Sequence, residues 1–258
     1  MMMSKNPLTT YLKLCTEFYD LDKRHEPDSD EFLLYMNYAQ AAGGPILEPM
    51  CGTGRFLIPM LQADLDIEGF DASPYMLQAL KQKYAEISSQ PAPVWQQFVQ
   101  NFARDKMYKL IFVPFGSWGL ITDRNDAVRG LENMYRHLVP GGTLVLEIET
   151  VASVPLPTGI WRYGAHDRID GSRVAVRALA GYDVSTQIFN SLCRYESVVG
   201  GVVVEVQEED FNQYLYRFDE MDGLLRDVGF TQVKKYQDFK KSPATNEQAP
   251  LLLYECVK

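Results

Sequence analysis

The chain has 258 residues, 46% of them hydrophobic, and a formal net charge of −9. That length and apolar share suit one large domain with a sizeable core. The acidic balance argues against a nucleic-acid backbone or an anionic membrane as partner, because Lys234, Lys235, Lys240 and Lys241 form only small pairs and no basic face.

Cys15, Cys51, Cys193 and Cys256 are far apart, and so are His25, His137 and His166. This scatter argues against a metal site or a disulfide framework and for reduced thiols in a cytoplasmic protein. Met1 to Leu14 lacks the apolar stretch of a signal peptide, and no window reaches the length of a membrane span.

In chain order, residues 1–27 predict a short helix with a loop at Tyr19-Asp20-Leu21-Asp22. Asp28-Ser29-Asp30 then caps a helix carrying Phe32, Leu33, Met36 and Ala39, stopped by Gly43-Gly44-Pro45. Ile46-Leu47-Glu48 reads as a first strand, Gly52 and Gly54 as a turn, and Phe56, Leu57, Met60 and Leu61 as the buried face of a helix. Leu65 to Asp71 is a second strand ending in an acid. Ser73-Pro74 opens the next helix, with Met76, Leu77, Leu80, Tyr84 and Ile87 at helical spacing. Val94 to Val99 reads as a third strand and the continuous apolar run Leu110 to Val113 as a fourth, buried on both faces. Asp123 to Leu138 is helical, Pro140-Gly141-Gly142 a turn, and Thr143 to Glu149 a fifth strand.

This alternation predicts an α/β fold, a doubly wound parallel sheet with helices on both faces. From 160 to 217 the period falls to two, and Gly200-Gly201 joins two alternating runs as a hairpin, which predicts an inserted antiparallel β patch. A helix at Met221 to Val228, a strand at Thr231 to Phe239 and a last strand at Leu251 to Val257 close the chain.

A glycine loop after a first strand, with an acid ending the second, is a nucleotide-binding arrangement, and Asp71 follows Gly54 at close to the spacing of roughly 20 residues expected. Leu57 stands where a dinucleotide fingerprint needs its third glycine, and Glu48 would repel a pyrophosphate. No Lys-Ser/Thr pair follows the glycines, which removes a phosphate loop. An acid at Glu48 attracts a ligand with an ammonium group instead.

Leu47-Glu48-Pro49-Met50-Cys51-Gly52-Thr53-Gly54-Arg55 resembles the first motif of the Rossmann-like (class I) S-adenosylmethionine-dependent methyltransferases. Asp71 to Leu77 resembles their second motif, and Leu138-Val139-Pro140-Gly141-Gly142 the turn before their fifth strand. The resemblance implies a mostly parallel seven-stranded sheet with an antiparallel last strand, with S-adenosylmethionine as cofactor and S-adenosylhomocysteine as product.

It further implies that Glu48 holds the cofactor's amino group, that Gly52 and Gly54 admit the methionine part, and that Asp71 binds the ribose. Met76 would lie against the adenine, flanked by Asn101 and Phe102, and Pro114 to Ser117, with Phe115, would line the methyl-donor pocket. Tyr19, Cys51, Arg55 and Ala72 complete the implied set. Met50 departs from the family's glycine, so its backbone is expected to suit a side chain. Asp71 could instead cap the following helix, and Met76 and Asn101 could be core and turn residues.

The domain plan expected is a single methyltransferase domain over 1–258. Residues 1–44 form N-terminal helices, 45–150 a cofactor-binding core, 160–217 a substrate cap, and 218–258 a helix and strand pair completing the sheet. The family resemblance implies N- or O-methylation of a small molecule, and more narrowly the late insert and the Phe115-Gly116-Ser117 loop resemble those of sugar-amine and glycine-type N-methyltransferases. A cofactor-binding scaffold without methyl transfer stays open. No catalytic base is evident. Glu147 and Glu149 alternate to one face, and Tyr19, Trp118, Trp161, Tyr163 and His166 could contact an acceptor.

Overall fold

In a computed structural model of the chain, residues 8–23 and 26–258 are described. Met1 to Pro7, in the N-terminal reading above, and His25 lie outside them. The elements are α1 (Lys13–Asp22), α2 (Asp30–Ala42), β1 (Ile46–Pro49), α3 (Leu57–Gln62), β2 (Ile67–Asp71), α4 (Pro74–Ala85), β3 (Val94–Gln96), β4 (Tyr108–Val113), α5 (Arg124–His137) and β5 (Leu138–Glu149). They continue with β6 (Trp161–Asp167), β7 (Arg173–Asp183), β8 (Ile188–Val199), β9 (Val202–Tyr214), α6 (Glu220–Val228), β10 (Gln232–Tyr236) and β11 (Leu251–Val257).

Seven strands form one sheet in the order β10-β11-β5-β4-β1-β2-β3. β1 to β5 run parallel, and β11 is antiparallel to both of its neighbours. The order reverses between β1 and β4, so their carboxyl ends open a crevice. β6, β7, β8 and β9 form a separate antiparallel sheet. No described helix is long and apolar enough to cross a membrane.

Two apolar layers sandwich the main sheet. Ile111, Val113, Leu144, Leu146 and Ile148 face α5 and α6, with Trp118, Leu131, Met134 and Met221. Ile46, Leu110, Phe112 and Val145 face α2 and α3, with Tyr35, Phe56, Leu57 and Met60. Strand alternation thus sends the side chains of Glu48 and Glu147 to the α2 side, at the carboxyl ends of β1 and β5. The caps match their sequence signals: Ser29 Oγ accepts from Phe32 N at 3.2 Å, and Gly43 ends α2 at φ +62°.

Four local expectations are corrected. Tyr19 to Asp22 continue α1 rather than forming a loop, because Leu14, Cys15 and Phe18 pack against Cys193 and Tyr195 of β8. The third strand stops at Gln96, and Val99–Asn101 is a single 3-10 turn under α5. Pro140-Gly141-Gly142 lies inside β5, where the register with β4 shifts between Tyr108 and Leu110 and Gly141 takes φ +77°. Ile87 lies beyond α4 and is exposed.

Candidate functional site

A cavity of about 400 Å³ occupies the crevice at the reversal of strand order. Four core strands, β1 to β4, feed it through the loops at their carboxyl ends. Met50 and Gly52 follow β1, Asp71, Ala72 and Ser73 end β2, and Gln97 to Gln100 follow β3. Phe115 and Ser117 follow β4, and Leu120 to Asp123 lead into α5. Tyr19 of α1, Asn212 of β9 and Leu8 to Tyr11 complete its lining.

Asp71 organises the loop between β1 and α4. Its Oδ2 accepts Gly52 N at 2.9 Å and its Oδ1 accepts Ser73 N at 2.8 Å. Burial pushes its pKa up, and the N–H groups of Ser73, Gly52 and Ala72 oppose that rise. Helix capping falls to Ser73, whose Oγ accepts Met76 N at 3.2 Å and donates to Tyr11 O at 2.6 Å. A Cβ on Gly52 would point toward Met76 Sδ, 4.0 Å away.

The expectation for Met50 is corrected. Its φ is +59°, the left-handed conformation of the glycine it replaces, which costs about 1–2 kcal/mol for an L-residue. Tyr11 and Phe115, at φ +56° and +62°, share this strain. All three line the cavity, the kind of place where backbone strain is retained when surrounding structure enforces it.

Behind the wall made by Tyr19 and Phe115 lies a buried polar group. Glu48 is 2% exposed, and its Oε2 has no hydrogen-bond partner. Burial and then Asp71 raise its pKa well above the ordinary value, opposed by the Leu57 N–H. Arg55 donates from Nη2 to Glu31 Oε2 at 2.9 Å, and its guanidinium lies 4.8 Å from the Phe115 ring centre. Arg55 Nη1 and Glu31 Oε1 are buried without partners. Tyr19 feels Arg55, Glu48 and Glu31 together, which places all three near one end of the cavity.

Of the residues expected to touch a cofactor, Tyr19, Met50, Gly52, Asp71, Ala72, Met76 and Phe115 line the cavity, and Glu48 and Arg55 sit behind its wall. The others are placed differently. A Cβ at Gly54 would lie 2.9 Å from Ile58 and Leu80 side chains, so this glycine serves helix packing. Cys51 is buried below the loop, where burial and then Asp71 raise its thiol pKa and leave it inert. Pro114 is buried outside the lining.

Asn101 is exposed, and Phe102 stacks in the core on Phe70, at 5.0 Å between ring centres. Because β3 ends at Gln96, the chain reaches the cavity early and presents Gln97 to Gln100 there instead. Trp118 is fully buried in the core, Trp161 and Tyr163 are exposed, and His166 packs on Phe18 with Nε2 3.1 Å from Asp22 Oδ1. Sequence reasoning missed Leu8 to Tyr11 and Asn212, which carry no motif. Asp123 was legible only as the start of a helix, which it caps by accepting Asp126 N at 2.9 Å.

This geometry has known counterparts. A family model for methyltransferase domains matches residues 46–142. YqeM of Bacillus subtilis (strain 168), provisionally named a methyltransferase, is 23% identical over 225 residues, covering 86% of this chain and 87% of its own. An S-adenosylmethionine-dependent methyltransferase from Clostridium acetobutylicum ATCC 824 superposes with a TM-score of 0.75 at 14% identity, over 93% of this chain and 96% of that one. The sugar N-methyltransferase KedS8 from Streptoalloteichus sp ATCC 53650 gives 0.73 at 19% identity, over 100% and 99%. At these identities the structural likeness establishes the fold.

The fold and the matched domain define a methyltransferase whose methyl donor is S-adenosylmethionine. Residues 46–142 match the methyltransferase-domain family, and the fold around them is that of the Rossmann-like (class I) S-adenosylmethionine-dependent methyltransferases. The residues present fit that cofactor. Unpartnered buried atoms of two acids and one guanidinium match a ligand end bearing both an ammonium and a carboxylate, and among the described residues the cavity is lined by Asp71, Asp123 and Asp126 and by no Lys or Arg, which suits a cationic sulfonium.

Proposed function

We propose that the protein methylates an amine nitrogen of a small molecule. Glu48, with Glu31 beside it, would hold the cofactor's ammonium, and Arg55 its carboxylate. Asp71 would take the ribose through the lone pairs left after its two backbone contacts, with Met76 and Gln97 to Gln100 along the adenine. Residues 160–217 would act as the substrate cap, and 1–44 as a lid. The cofactor supplies an activated methyl group when bound; the chain's own residues align and desolvate.

The observation that carries the choice of nitrogen is the cavity wall. Its described lining contains no His or Lys, and the acids it offers are Asp71, Asp123 and Asp126. An alcohol, a very weak acid, needs a strong base as it attacks, whereas an ammonium gives up its proton to solvent or to a carboxylate beforehand and then attacks as the free amine. KedS8 is a sugar N-methyltransferase, which agrees with this reading. Four free, buried cysteines suit a reducing, cytoplasmic setting.

Calorimetry with S-adenosylmethionine, S-adenosylhomocysteine and NAD, followed by transfer of labelled methyl to amine, hydroxyl and carboxylate panels, tests the proposal. The expected result is heat with the first two ligands and label in amines alone. Label in hydroxyl products would overturn the nitrogen reading. Tight binding with no label anywhere would favour a scaffold.

A further inference from the structure

Glu147 has no part in the reading above, yet burying a carboxyl group is costly. It leaves β5 on the α2 side, among Phe112, Val145 and Leu253, and is 2% exposed. No cation pairs with it among the described residues. Its partners are two donors: Tyr35 Oη, which donates to Oε2 at 3.2 Å, and the Phe115 backbone N–H. Tyr35 is held rigidly, fully buried between Phe56 and Phe112.

The second donor is the informative one. Phe115 and Gly116 are consecutive left-handed residues, at φ +62° and +61°, directly after β4. Such a pair turns its N–H groups toward one side, where an oxygen acceptor stabilises it. Glu147 supplies that acceptor. Glu149, one step along the same face, presses on Gly116, whose missing Cβ would lie 2.9 Å from Glu149 Cγ. From the cap side, Gln213 Nε2 donates to Gly116 O at 3.4 Å. The turn is gripped from both sheets, and its aromatic ring lines the cavity, 6.3 Å from the ring of Tyr19 and edge-on to it.

We propose that Glu147 is a positioning residue for methyl transfer: by accepting the Phe115 N–H it locks the turn that sets the Phe115 ring at the end of the cavity where methyl donor and acceptor meet. The functional half of this rests on the methyltransferase reading; the structural half stands without it. The surrounding groups explain how a carboxyl is tolerated there. Burial, then Glu31 of α2, push its pKa up to about 8, opposed by the Phe115 and Tyr35 bonds, with Glu149 adding to the rise. Near neutral pH it is therefore largely a carboxylic acid, which still accepts hydrogen bonds but carries little buried charge.

Glu147→Gln, Glu147→Leu and Tyr35→Phe test this in the full chain. By NMR, the wild-type Phe115 amide should exchange slowly and its shift should titrate with an inflection near pH 8, absent in Glu147→Gln. Glu147→Leu should speed that exchange at least tenfold. It should also lower kcat with S-adenosylmethionine and an amine acceptor at least tenfold, while KM for the cofactor stays within about twofold. Glu147→Gln should retain slow exchange and most of kcat, and Tyr35→Phe should leave the Phe115 exchange near wild type.

Equal loss in the Gln and Leu variants, unchanged exchange in Glu147→Leu, or a fall in kcat that only tracks loss of folded protein would each overturn the proposal. If Glu147→Leu does not fold, the wild-type titration and its absence in Glu147→Gln decide it. A wild type that binds no S-adenosylmethionine would overturn the functional reading, whereas Phe115 exchange would still decide the lock.

Discussion

The two sheets of this chain are stabilised differently and serve the cavity differently. In the seven-stranded sheet, Leu110, Ile111, Phe112 and Val113 are buried on both faces, so packing dominates. What this sheet presents to the cavity is mostly loop backbone: Gly52 N and Ser73 N on Asp71, and the left-handed turns at Met50 and Phe115. In the four-stranded sheet one face is open, with Leu192, Val204 and Val206 exposed, and the inner face works through side chains. Glu205, Gln207 and Glu209, successive residues on one face of β9, hold Lys13 Nζ, Leu14 N and Leu12 N respectively. The last two are orphan donors at the start of α1. The core sheet shapes the cavity, and the four-stranded sheet holds the N-terminal segment that lines it.

The largest effect expected from this contrast is on stability. Leu110→Ala should cost about 2–5 kcal/mol, because the packed site cannot collapse around the void. Val204→Ala, on the open face of β9, should stay within about 0.5 kcal/mol. Urea denaturation of both variants reads the difference; similar losses would mean the cap face is packed against something in solution.

A smaller effect concerns the ligand. Asp71→Ala removes the acceptor for Gly52 N and Ser73 N as well as any bond to the cofactor. Affinity for S-adenosylmethionine should fall at least tenfold, in line with roughly 1.5–3 kcal/mol for hydrogen bonds to a charged group. Asn212→Ala on the cap side of the cavity should change it by less than about threefold. Calorimetry giving equal losses would break the division of labour between the sheets.

The pH dependence separates the two sheets further. Glu147 has an ordinary value of 4.5 and is raised to about 8 in the folded protein. Between those values the folded state holds a proton that the unfolded state has released. Wild-type stability therefore falls as pH rises through that window and levels off above it. Glu147→Gln has no such proton, so its Tm should gain on wild type by several degrees between about pH 5 and about pH 8.5. Glu48 and Asp71 are also raised, but they occur in both proteins and cancel. A Tm difference that is flat with pH would show that Glu147 is not buried as a neutral acid.

Legibility in the sequence follows the same division. The core was readable because its signals are local. A continuous apolar run marked β4, Ser73-Pro74 marked the start of α4, and the acid and glycines of the β1 loop announced the ligand end of the sheet. The Gly200-Gly201 hairpin was readable for the same reason, with both glycines at positive φ. What could not be read depends on long-range contact. Asn101 and Phe102 were assigned by counting along the chain, and the early end of β3 shifted the wall to Gln97 through Gln100. Gly54 looked like a ligand glycine, but Ile58 and Leu80 decide its identity. Nothing in Leu8 to Tyr11 announces that this stretch lines the cavity, since β9, distant in sequence, holds it there.

That segment provides the finest test of the comparison, because it touches both sheets. Toward the cap, Thr9 Oγ1 donates to Asp210 O at 3.3 Å and Leu12 N to Glu209 Oε1 at 3.2 Å. Toward the core, Tyr11 O accepts from Ser73 Oγ at 2.6 Å. Ser73→Ala removes that contact together with the α4 cap, so it should cost about 1 kcal/mol and a few degrees of Tm. Ser73→Asp restores an acceptor for Met76 N but cannot donate to a carbonyl when ionised. Its Tm should recover, whereas its cofactor off-rate, measured by stopped-flow displacement, should stay about threefold or more above wild type, as in Ser73→Ala. Recovery of the off-rate along with Tm would place the hold on the segment in β9 alone.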